Sequence, residues 1–287
     1  AVVVTHNASH TLAACLDSLL ENCVTRIQVV DSASAPRELE RIRQIVDSRE
    51  RTGLMVMNKN LGFGAAVNNG VRALASVKDT LLVVANPDTA VRGRSLSLLC
   101  EAVKSGRADL AGPVITTGAD AREWYRNGEI DYRARRIIMR GPRPETTKDQ
   151  AEVSVSFLSG AFFITRISTF QSLGGFDETY FMYWEDVDFC HRARQRGMRL
   201  KCVSGAEVWH SVGASSGAKG KSAVFFHYMQ RNRLKFFSPL SSRAGTVFGA
   251  GLVSTLAFTL WPLAQPSERW EKFVAGIRGL RSGWKLR

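Results

Sequence analysis

The residues able to do chemistry in this sequence are a pair of adjacent carboxylates, two acids that end apolar runs, and one histidine. Glu185 and Asp186 close the acidic and aromatic stretch Gly174-Gly175-Phe176-Asp177-Glu178-Thr179-Tyr180-Phe181-Met182-Tyr183-Trp184. A helical period begins with them, in Val187, Cys190 and Ala193, and Gly197 is a good stop. The pair therefore sits at a helix N-terminus beside an aromatic wall. In isolation such a pair most often caps the helix and meets the positive end of its dipole. Its other use is proton transfer: Asp186 suits the removal of a proton from an attacking hydroxyl, with Glu185 beside it to tune its charge or hold the acceptor. Asp88 follows a buried apolar run and is presented by Asn86-Pro87, where proline cannot continue a central strand. It suits an oxygen ligand for a cation that neutralises a departing diphosphate, and His210 is available as a second ligand from the other half of the chain. Taken singly, Asp88 reads equally as a turn residue and His210 as a satisfied core histidine. Asp31 ends the run Ile27-Gln28-Val29-Val30 and is placed to accept the imide N–H of a uracil or thymine ring. Adenine offers no such imide, and no G-x-G-x-x-G follows the first apolar run, so a dinucleotide cofactor is disfavoured.

The elements that must position these residues alternate between strand and helix. Apolar runs at 1–5, 27–31, 54–57 and 80–85 read as buried parallel strands. Between them lie a helix capped by Ser9 with Leu12, Leu16, Leu19 and Leu20 on its apolar face, a helix opened by Pro36, and a helix with Val67, Val71 and Leu74. A helix over 95–105, the run 110–115, and strands at 153–157, 162–164 and 200–202 follow. Such alternation predicts an α/β fold with a mostly parallel central sheet covered on both faces. Ligands bind such sheets outside the carboxyl ends of the strands, and Thr5, His6, Asp31, Asn60, Asn86 and Asp88 all fall there.

Residues 118–150 lack a clear period and carry Arg133, Arg135, Arg136, Arg140 and Arg143 with Pro142 and Pro144. They read as a solvated insertion or as a loop facing an acceptor or lipid. The formal net charge of the 287-residue chain is +13, which calls for an anionic partner: nucleic acid, a membrane surface or a phosphorylated substrate. No zinc-finger spacing or RNA-recognition signature supports the first. The five cysteines form no C-x-x-C pair and read as reduced, buried thiols of a cytosolic protein. No signal peptide is visible, and the opening of the chain on Ala1 within an apolar run implies residues upstream of it. An uncharged segment from Ala244 to Ser267 is long enough for a membrane span, but its glycines, hydroxyl residues and Pro262 favour a helix lying in the interface. The tail behind it, with Trp270, Trp284 and Arg269, Lys272, Arg278, Arg281, Lys285 and Arg287, suits an anionic leaflet. A helix packed on the rest of the protein is the alternative.

Together these features resemble an inverting glycosyltransferase of family 2, with the nucleotide-sugar-binding GT-A fold. The likeness runs from Val2 to about Phe237. Its landmarks are Val3-Val4-Thr5-His6-Asn7, Val29-Val30-Asp31-Ser32-Ala33-Ser34, Asn60-Leu61-Gly62-Phe63-Gly64 with Asn68 and Gly70, Val83 to Asp88, Leu158-Ser159-Gly160, and Gly174 to Asp188. The Asn-Pro-Asp turn and the Tyr183-Trp184-Glu185-Asp186-Val187-Asp188 run look most like bacterial rhamnosyltransferases of cell-wall and O-antigen assembly.

The resemblance implies a GT-A catalytic domain over 1–240, with a nucleotide-sugar half at 1–115 and an acceptor half at 151–240, then a membrane-associated apolar helix and basic tail at 241–287. It implies that Asp31 binds the pyrimidine, that Thr5, His6 and Asn7 line the nucleotide pocket, and that Asn60, Gly62 and Asn86 lie beside the nucleotide and diphosphate. Asp88 and His210 would hold Mg²⁺ or Mn²⁺, Asp186 would be the general base, and Gly160, Trp184 and Glu185 would face the acceptor. The family's usual metal motif is Asp-x-Asp, and here Asn86 occupies its first position. The implied donor is dTDP-rhamnose, with UDP-galactofuranose, a UDP-N-acetylhexosamine or another hexose donor as alternatives. The implied acceptor is polyprenyl-linked or a glycan, at the cytoplasmic face of the inner or plasma membrane, reached peripherally or by a single C-terminal helix. No nucleic-acid partner is expected, and self-association into a homo-oligomer is left open. An inactive sugar-nucleotide-binding scaffold is the alternative outside enzymes.

Overall fold

The computed structural model describes residues 1–22, 24–74, 80–139, 151–211 and 220–286. Two compact units emerge: Ala1–Glu129, Met139–Thr179 and Glu185–Ser215 form the first, and Ile130–Ile138, Tyr180–Trp184 and Ser216–Arg287 the second.

The first unit opens with β1 (Val2–Thr5), α1 (Ser9–Glu21), β2 (Ile27–Asp31), α2 (Pro36–Asp47), β3 (Thr52–Val56), α3 (Phe63–Leu74) and β4 (Leu81–Ala85). The four strands are parallel in the order β4-β1-β2-β3. Successive strand residues point to opposite faces. Val3 and Val29 join Leu12, Leu16 and Leu19 of α1 and Ile42 and Val46 of α2 in one core. Val2 and Val30 face the other way, where α3 packs so closely that a Cβ at Gly70 would lie 2.6 Å from Val2 and 2.9 Å from Val30. Only glycine admits that approach.

The unit continues with β5 (Thr89–Val91), α4 (Ser95–Lys104), β6 (Leu110–Thr117) and β7 (Arg122–Tyr125). β8 (Glu129–Asp131) and β9 (Arg136–Ile138), which pair with each other, fall almost wholly in the second unit, and the first resumes with β10 (Glu152–Ser154), β11 (Phe162–Arg166), α5 (Ile167–Ser172), α6 (Glu185–Gln195) and β12 (Leu200–His210). The full order is β10-β12-β6-β11-β4-β1-β2-β3, with β5 on β12 and β7 on β6. β11 runs antiparallel to both neighbours, while β12 is parallel to β6. The expected α/β class with a largely parallel sheet is what the chain forms.

Several local expectations are corrected. Ser9 does not cap α1; it is already the first helical residue, preceded by Ala8, and its N–H donates to Glu38 Oε2 at 3.3 Å. The stretch after 118 is not a structureless insertion: β7, β8 and β9 lie in it, and buried Tyr125 donates its hydroxyl proton to the Phe157 carbonyl at 2.6 Å. Arg140, Pro142, Arg143 and Pro144 lie outside the described residues. Cys15, Cys190 and Cys202 are buried free thiols as expected, but Cys100 is only half-buried, and Cys23 lies outside the described residues.

Apart from the β8–β9 pair, the second unit is helical: α7 (Ala223–Phe237), α8 (Arg243–Val247), α9 (Leu252–Leu260), a 3₁₀ turn at Trp261–Ala264, and α10 (Arg269–Lys285). Ser222 caps α7 by accepting from the Phe225 N–H at 3.2 Å. A glycine face on α10 lets the two long helices touch: a Cβ at Gly279 would lie 2.1 Å from the His227 carbonyl oxygen, and one at Gly283 would lie 2.8 Å from that of Arg231. Arg233 is fully buried in this unit, donates to Thr255 Oγ1 at 2.5 Å and Gln230 Oε1 at 3.4 Å, and burial pushes its guanidinium down to about 10. The uncharged run from 244 to 267 is not one helix. Gly251 breaks it, since a Cβ there would lie 2.0 Å from the Thr246 carbonyl oxygen. No described helix is long and apolar enough to cross a membrane.

Candidate active site

The carboxyl ends of β4 and β12 bring Asp88 and His210 together. Residues 86–88 form a tight turn in which Thr89 Oγ1 and the Thr89 N–H both donate to the Asn86 carbonyl, and β5 then pairs back on β12 so that Thr89 stands opposite His210. The result is a buried pair with His210 Nε2 3.1 Å from Asp88 Oδ1. The Asn86 amide lies 3.5 Å from the same nitrogen. The ring of Trp124, from β7, packs edge-on against the imidazole with centroids 5.1 Å apart. His210 Nδ1 is buried with no hydrogen-bond partner. No group of three or more His, Cys, Asp or Glu side chains able to hold a metal occurs among the described residues. Asp88 and His210 could nevertheless share one divalent ion: one carboxylate and one imidazole at this separation leave the other positions to ligand oxygens and water, the manner in which Mg²⁺ and Mn²⁺ are held at phosphate sites.

The carboxylate pair stands at the first turn of α6. Asp186 accepts from the Gly160 N–H at 2.7 Å through Oδ2 and from the Val187 N–H at 2.8 Å through Oδ1. Gly160 packs closely here: a Cβ would lie 3.2 Å from Asp186 Cβ and 3.4 Å from the Phe63 ring, so a side chain would require these neighbours to shift. Glu185 is buried, and its Oε2 has no partner. Burial pushes both carboxyls above the ordinary range, Glu185 further because the Asp186 charge lies beside it. The backbone N–H groups work the other way on Asp186 and favour its anion. Asp186 is therefore the member of the pair that ionises first, and Glu185 holds its proton longer. One carboxylate with a raised pKa beside a carboxyl that holds its proton longer is a better proton acceptor than a free aspartate.

One loop joins the two centres. The Asn86 N–H donates to the Ala161 carbonyl at 2.9 Å, and the adjacent Gly160 N–H holds Asp186. α3 is locked beside it: the Asn68 amide donates to the Phe176 carbonyl and accepts from the Phe176 N–H, both at 2.9 Å.

The remaining predicted residues line the ends of β1 and β2. His6 and Asn7 are exposed, and Asn7, with φ of 51°, accepts from the Ala35 N–H at 2.8 Å through its side chain. Thr5 is buried opposite Asp31, and its hydroxyl has no partner. Asp31 is fully buried; its carboxylate accepts from the Ser34 N–H at 3.0 Å and from the Ser34 hydroxyl. In this arrangement Asp31 shapes the loop that follows β2. Asn60 Oδ1 accepts from the Gly62 N–H at 2.9 Å, a turn that requires the left-handed φ of 93° at Gly62. Trp184 is buried in the second unit against Phe236 and Phe237, with ring centroids 5.5 and 5.6 Å away. Trp124 and Phe63 are the neighbours that sequence reading missed. Phe63 sits in a motif whose implied site residues are Asn60 and Gly62, and Trp124 lies in a stretch without a period.

Several known proteins are similar to this chain. A dTDP-rhamnosyl transferase, RfbF of Shigella flexneri, is 24% identical over 224 residues, covering 75% of this chain and 70% of that protein. The N-acetylglucosaminyl-diphospho-decaprenol L-rhamnosyltransferase of Mycobacterium tuberculosis is 32% identical over 203 residues, 61% of this chain. The chain spans 64% of the length of that relative. Among solved structures, GalNAc-T7 with UDP, GalNAc and Mn²⁺ superposes with a TM-score of 0.64 at 15% identity, covering 94% of this chain and 55% of that one, a likeness of GT-A fold. The family model described as Glycosyl transferase family 2 matches residues 1–174, which take in Asp31, Asp88 and Gly160. This chain belongs to glycosyl transferase family 2.

Proposed function

We propose that the chain is an inverting glycosyltransferase that moves L-rhamnose from dTDP-rhamnose onto a lipid-linked or polysaccharide acceptor at a membrane surface. The observation that carries this reading is the loop Gly160–Ala161, which is bonded on one side to the Asp186 carboxylate and on the other to the Asn86–Asp88 turn. A proton acceptor and a cation-binding turn held by one rigid loop are what a displacement at a sugar nucleotide needs.

In this reading Asp88 and His210 hold Mg²⁺ or Mn²⁺, which when bound supplies positive charge against the departing diphosphate. The loops of Thr5 to Asn7 and Asp31 to Ser34 cradle the pyrimidine, and Asn60 and Gly62 flank the diphosphate. Asp186 takes the proton of the acceptor hydroxyl as its oxygen bonds to the anomeric carbon. The bond from that carbon to the diphosphate breaks on the opposite face, so the configuration inverts and a nucleoside diphosphate leaves. Glu185, held neutral beside Asp186, keeps the local charge to one. The rhamnose donor is supported by the four matching relatives, each of which bears that sugar in its name.

A membrane location is supported by the second unit. Residues 220–286 carry ten Lys and Arg against two Glu, and Phe248, Val253, Leu256 and Trp270 are exposed. The assay that tests the whole reading is a panel of nucleotide sugars with Mg²⁺, Mn²⁺ or chelator, read by thermal stabilisation and by slow donor hydrolysis. Metal-dependent stabilisation by dTDP-rhamnose above the other donors is expected. Preference for a UDP-sugar would discard the rhamnose assignment, and no response to any nucleotide would discard the transferase reading.

A further inference from the structure

The second unit holds most of the apolar surface that the molecule leaves open. Among the described residues, every exposed large hydrophobic side chain except Val56 and Leu61 belongs to it, Trp261, Trp270 and Trp284 included. α9 turns Leu252, Val253, Leu256, Ala257 and Leu260 outward, and no charged residue occurs from 244 to 267. On α10, Trp270, Val274, Arg278, Arg281 and Lys285 are exposed and recur at three or four residues, which puts them on one face. Between that helix and α7 runs a groove of about 520 Å³. Val224 and Tyr228 of α7 and Trp270 and Val274 of α10 give it apolar walls. Its ends differ in charge. Glu271 stands beside Trp270 at one end, and Arg278 lies about two helical turns along α10 at the other. The one ion pair of α10 among the described residues is Lys272 Nζ to Glu268 Oε2 at 3.5 Å, which leaves Arg278 without a carboxylate partner. His227 lines the Arg278 end. Burial first, then the charges of Arg231 and Arg278, holds its imidazole below the ordinary 6.5, so it is an uncharged wall at neutral pH. The Arg231 guanidinium lies over the adjacent Tyr228 ring, 5.8 Å from its centroid.

We propose that the α7–α10 groove seats one anionic phospholipid of a bilayer leaflet, its acyl chain along Val224, Trp270 and Val274 and its phosphate at Arg278. The inference deepens the membrane location proposed above and uses no part of the sugar chemistry. Charge complementarity selects the occupant. A free anion has no use for the apolar length of the groove, and a neutral amphiphile has none for the unpaired guanidinium at its end. An acidic peptide could fill the groove but would leave the uncharged outer face of α9 bare. A leaflet takes both: the interface receives exposed tryptophans and an apolar helix face, and its phosphates receive the cations beside them. The unit carries those cations in excess, ten Lys and Arg against two Glu over 220–286.

The experiment uses the full chain as wild type, Arg278→Glu, Val274→Glu and Arg43→Glu. All three positions are exposed, so each variant should melt with the wild type, and Arg43→Glu makes the same charge change on α2 of the first unit. The first readout is titration calorimetry with dioctanoyl phosphatidylglycerol below its micelle concentration, which offers one short lipid without a bilayer. Wild type should bind it, and glycerol 3-phosphate, the headgroup alone, should not saturate the protein. Arg278→Glu and Val274→Glu should each weaken binding about tenfold or more, the worth of one charge-assisted contact or one buried apolar side chain. Arg43→Glu should change it less than about twofold, because exposed charges beyond about 8 Å are screened at physiological salt. The second readout is co-sedimentation with phosphatidylcholine vesicles, with and without phosphatidylglycerol; wild type should follow the anionic vesicles. Unchanged affinity in Arg278→Glu and Val274→Glu overturns the inference, and so does an equal loss in Arg43→Glu. Equal binding of dioctanoyl phosphatidylcholine removes the anion requirement and overturns it too. Tighter binding of farnesyl diphosphate, or of an acidic amphipathic peptide, gives the groove to another occupant. The nucleotide-sugar panel contains no lipid, so a chain that fails it yet binds the short lipid has lost the transferase reading and kept the groove.

Discussion

Asp88 and Asp186 are both carboxylates held at the edge of one sheet, but their neighbours differ in kind. Asp88 faces an imidazole, Nε2 to Oδ1 at 3.1 Å, with an amide close by and an aromatic edge behind. Asp186 faces another carboxyl and two backbone N–H groups, and both acids are pushed upward by burial. The first environment has ligand atoms of two types turned toward each other and suits a cation. The second concentrates like charge where water is scarce and suits a proton. One loop, Gly160–Ala161, is hydrogen-bonded to both, so the fold keeps the cation turn and the proton acceptor in fixed register while giving each acid a different task.

The largest effect should come from the proton side. Asp186→Asn keeps the shape and can still accept the Gly160 N–H. Turnover should drop by about two to four powers of ten, the usual worth of a general base, with donor affinity nearly intact. Single-turnover kinetics with isothermal titration would separate the two. On the cation side, Asp88→Ala should weaken metal-dependent nucleotide binding at least about tenfold and leave binding without metal where it was. Equal affinity with and without Mg²⁺ in both proteins would dissolve the distinction between the two acids.

A pH measurement sharpens the contrast further. Because the Glu185 carboxyl is raised in the folded protein, folding takes up a proton at pH values between the ordinary glutamate value and the raised one. The stability it contributes is fully present below the ordinary glutamate value of 4.5 and is lost as pH rises through its raised folded value. Glu185→Gln removes that loss. Its melting temperature should exceed that of wild type at neutral and mildly alkaline pH, and the gap should close below pH 4.5. Equal melting curves for the two proteins from acid to alkaline pH would mean that Glu185 ionises normally. The smallest effect belongs to Trp124→Ala, which removes the edge contact that steadies His210. An aromatic contact is worth about 0.5–1.5 kcal/mol, so metal-dependent nucleotide binding should weaken only a few-fold.

The legibility of the chain follows the same division between kinds of environment. β1 to β4 and α1 to α4 could be read because a buried parallel strand needs an unbroken apolar run and its flanking helix needs an apolar stripe. Asp31 and Asp88 stood out because an acid that ends such a run lies where ligands bind. Period says nothing about what a side chain meets in space. The Trp124 edge on His210 joins residues 86 positions apart in the numbering, in a stretch with no repeat to announce it. Ser9 had the right residue type for a cap and sat one position inside the helix. The run from 244 to 267 matched an interfacial helix in composition, but the close approach at Gly251 divides it into α8 and α9. α10 read as a basic tail because Lys and Arg dominate its count, whereas Gly276, Gly279 and Gly283 mark the buried face by which it packs on α7.

The central claim is that donor binding and proton removal are divided between Asp88 and Asp186. Its most direct test is one crossed measurement: dTDP-rhamnose titrated with Mg²⁺ into wild type, Asp88→Ala and Asp186→Asn, with donor hydrolysis followed in the same samples. The account predicts that Asp88→Ala loses the metal-dependent affinity, and that Asp186→Asn binds like wild type but scarcely turns over. Loss of nucleotide affinity in Asp186→Asn, or undiminished turnover in it, would contradict the division.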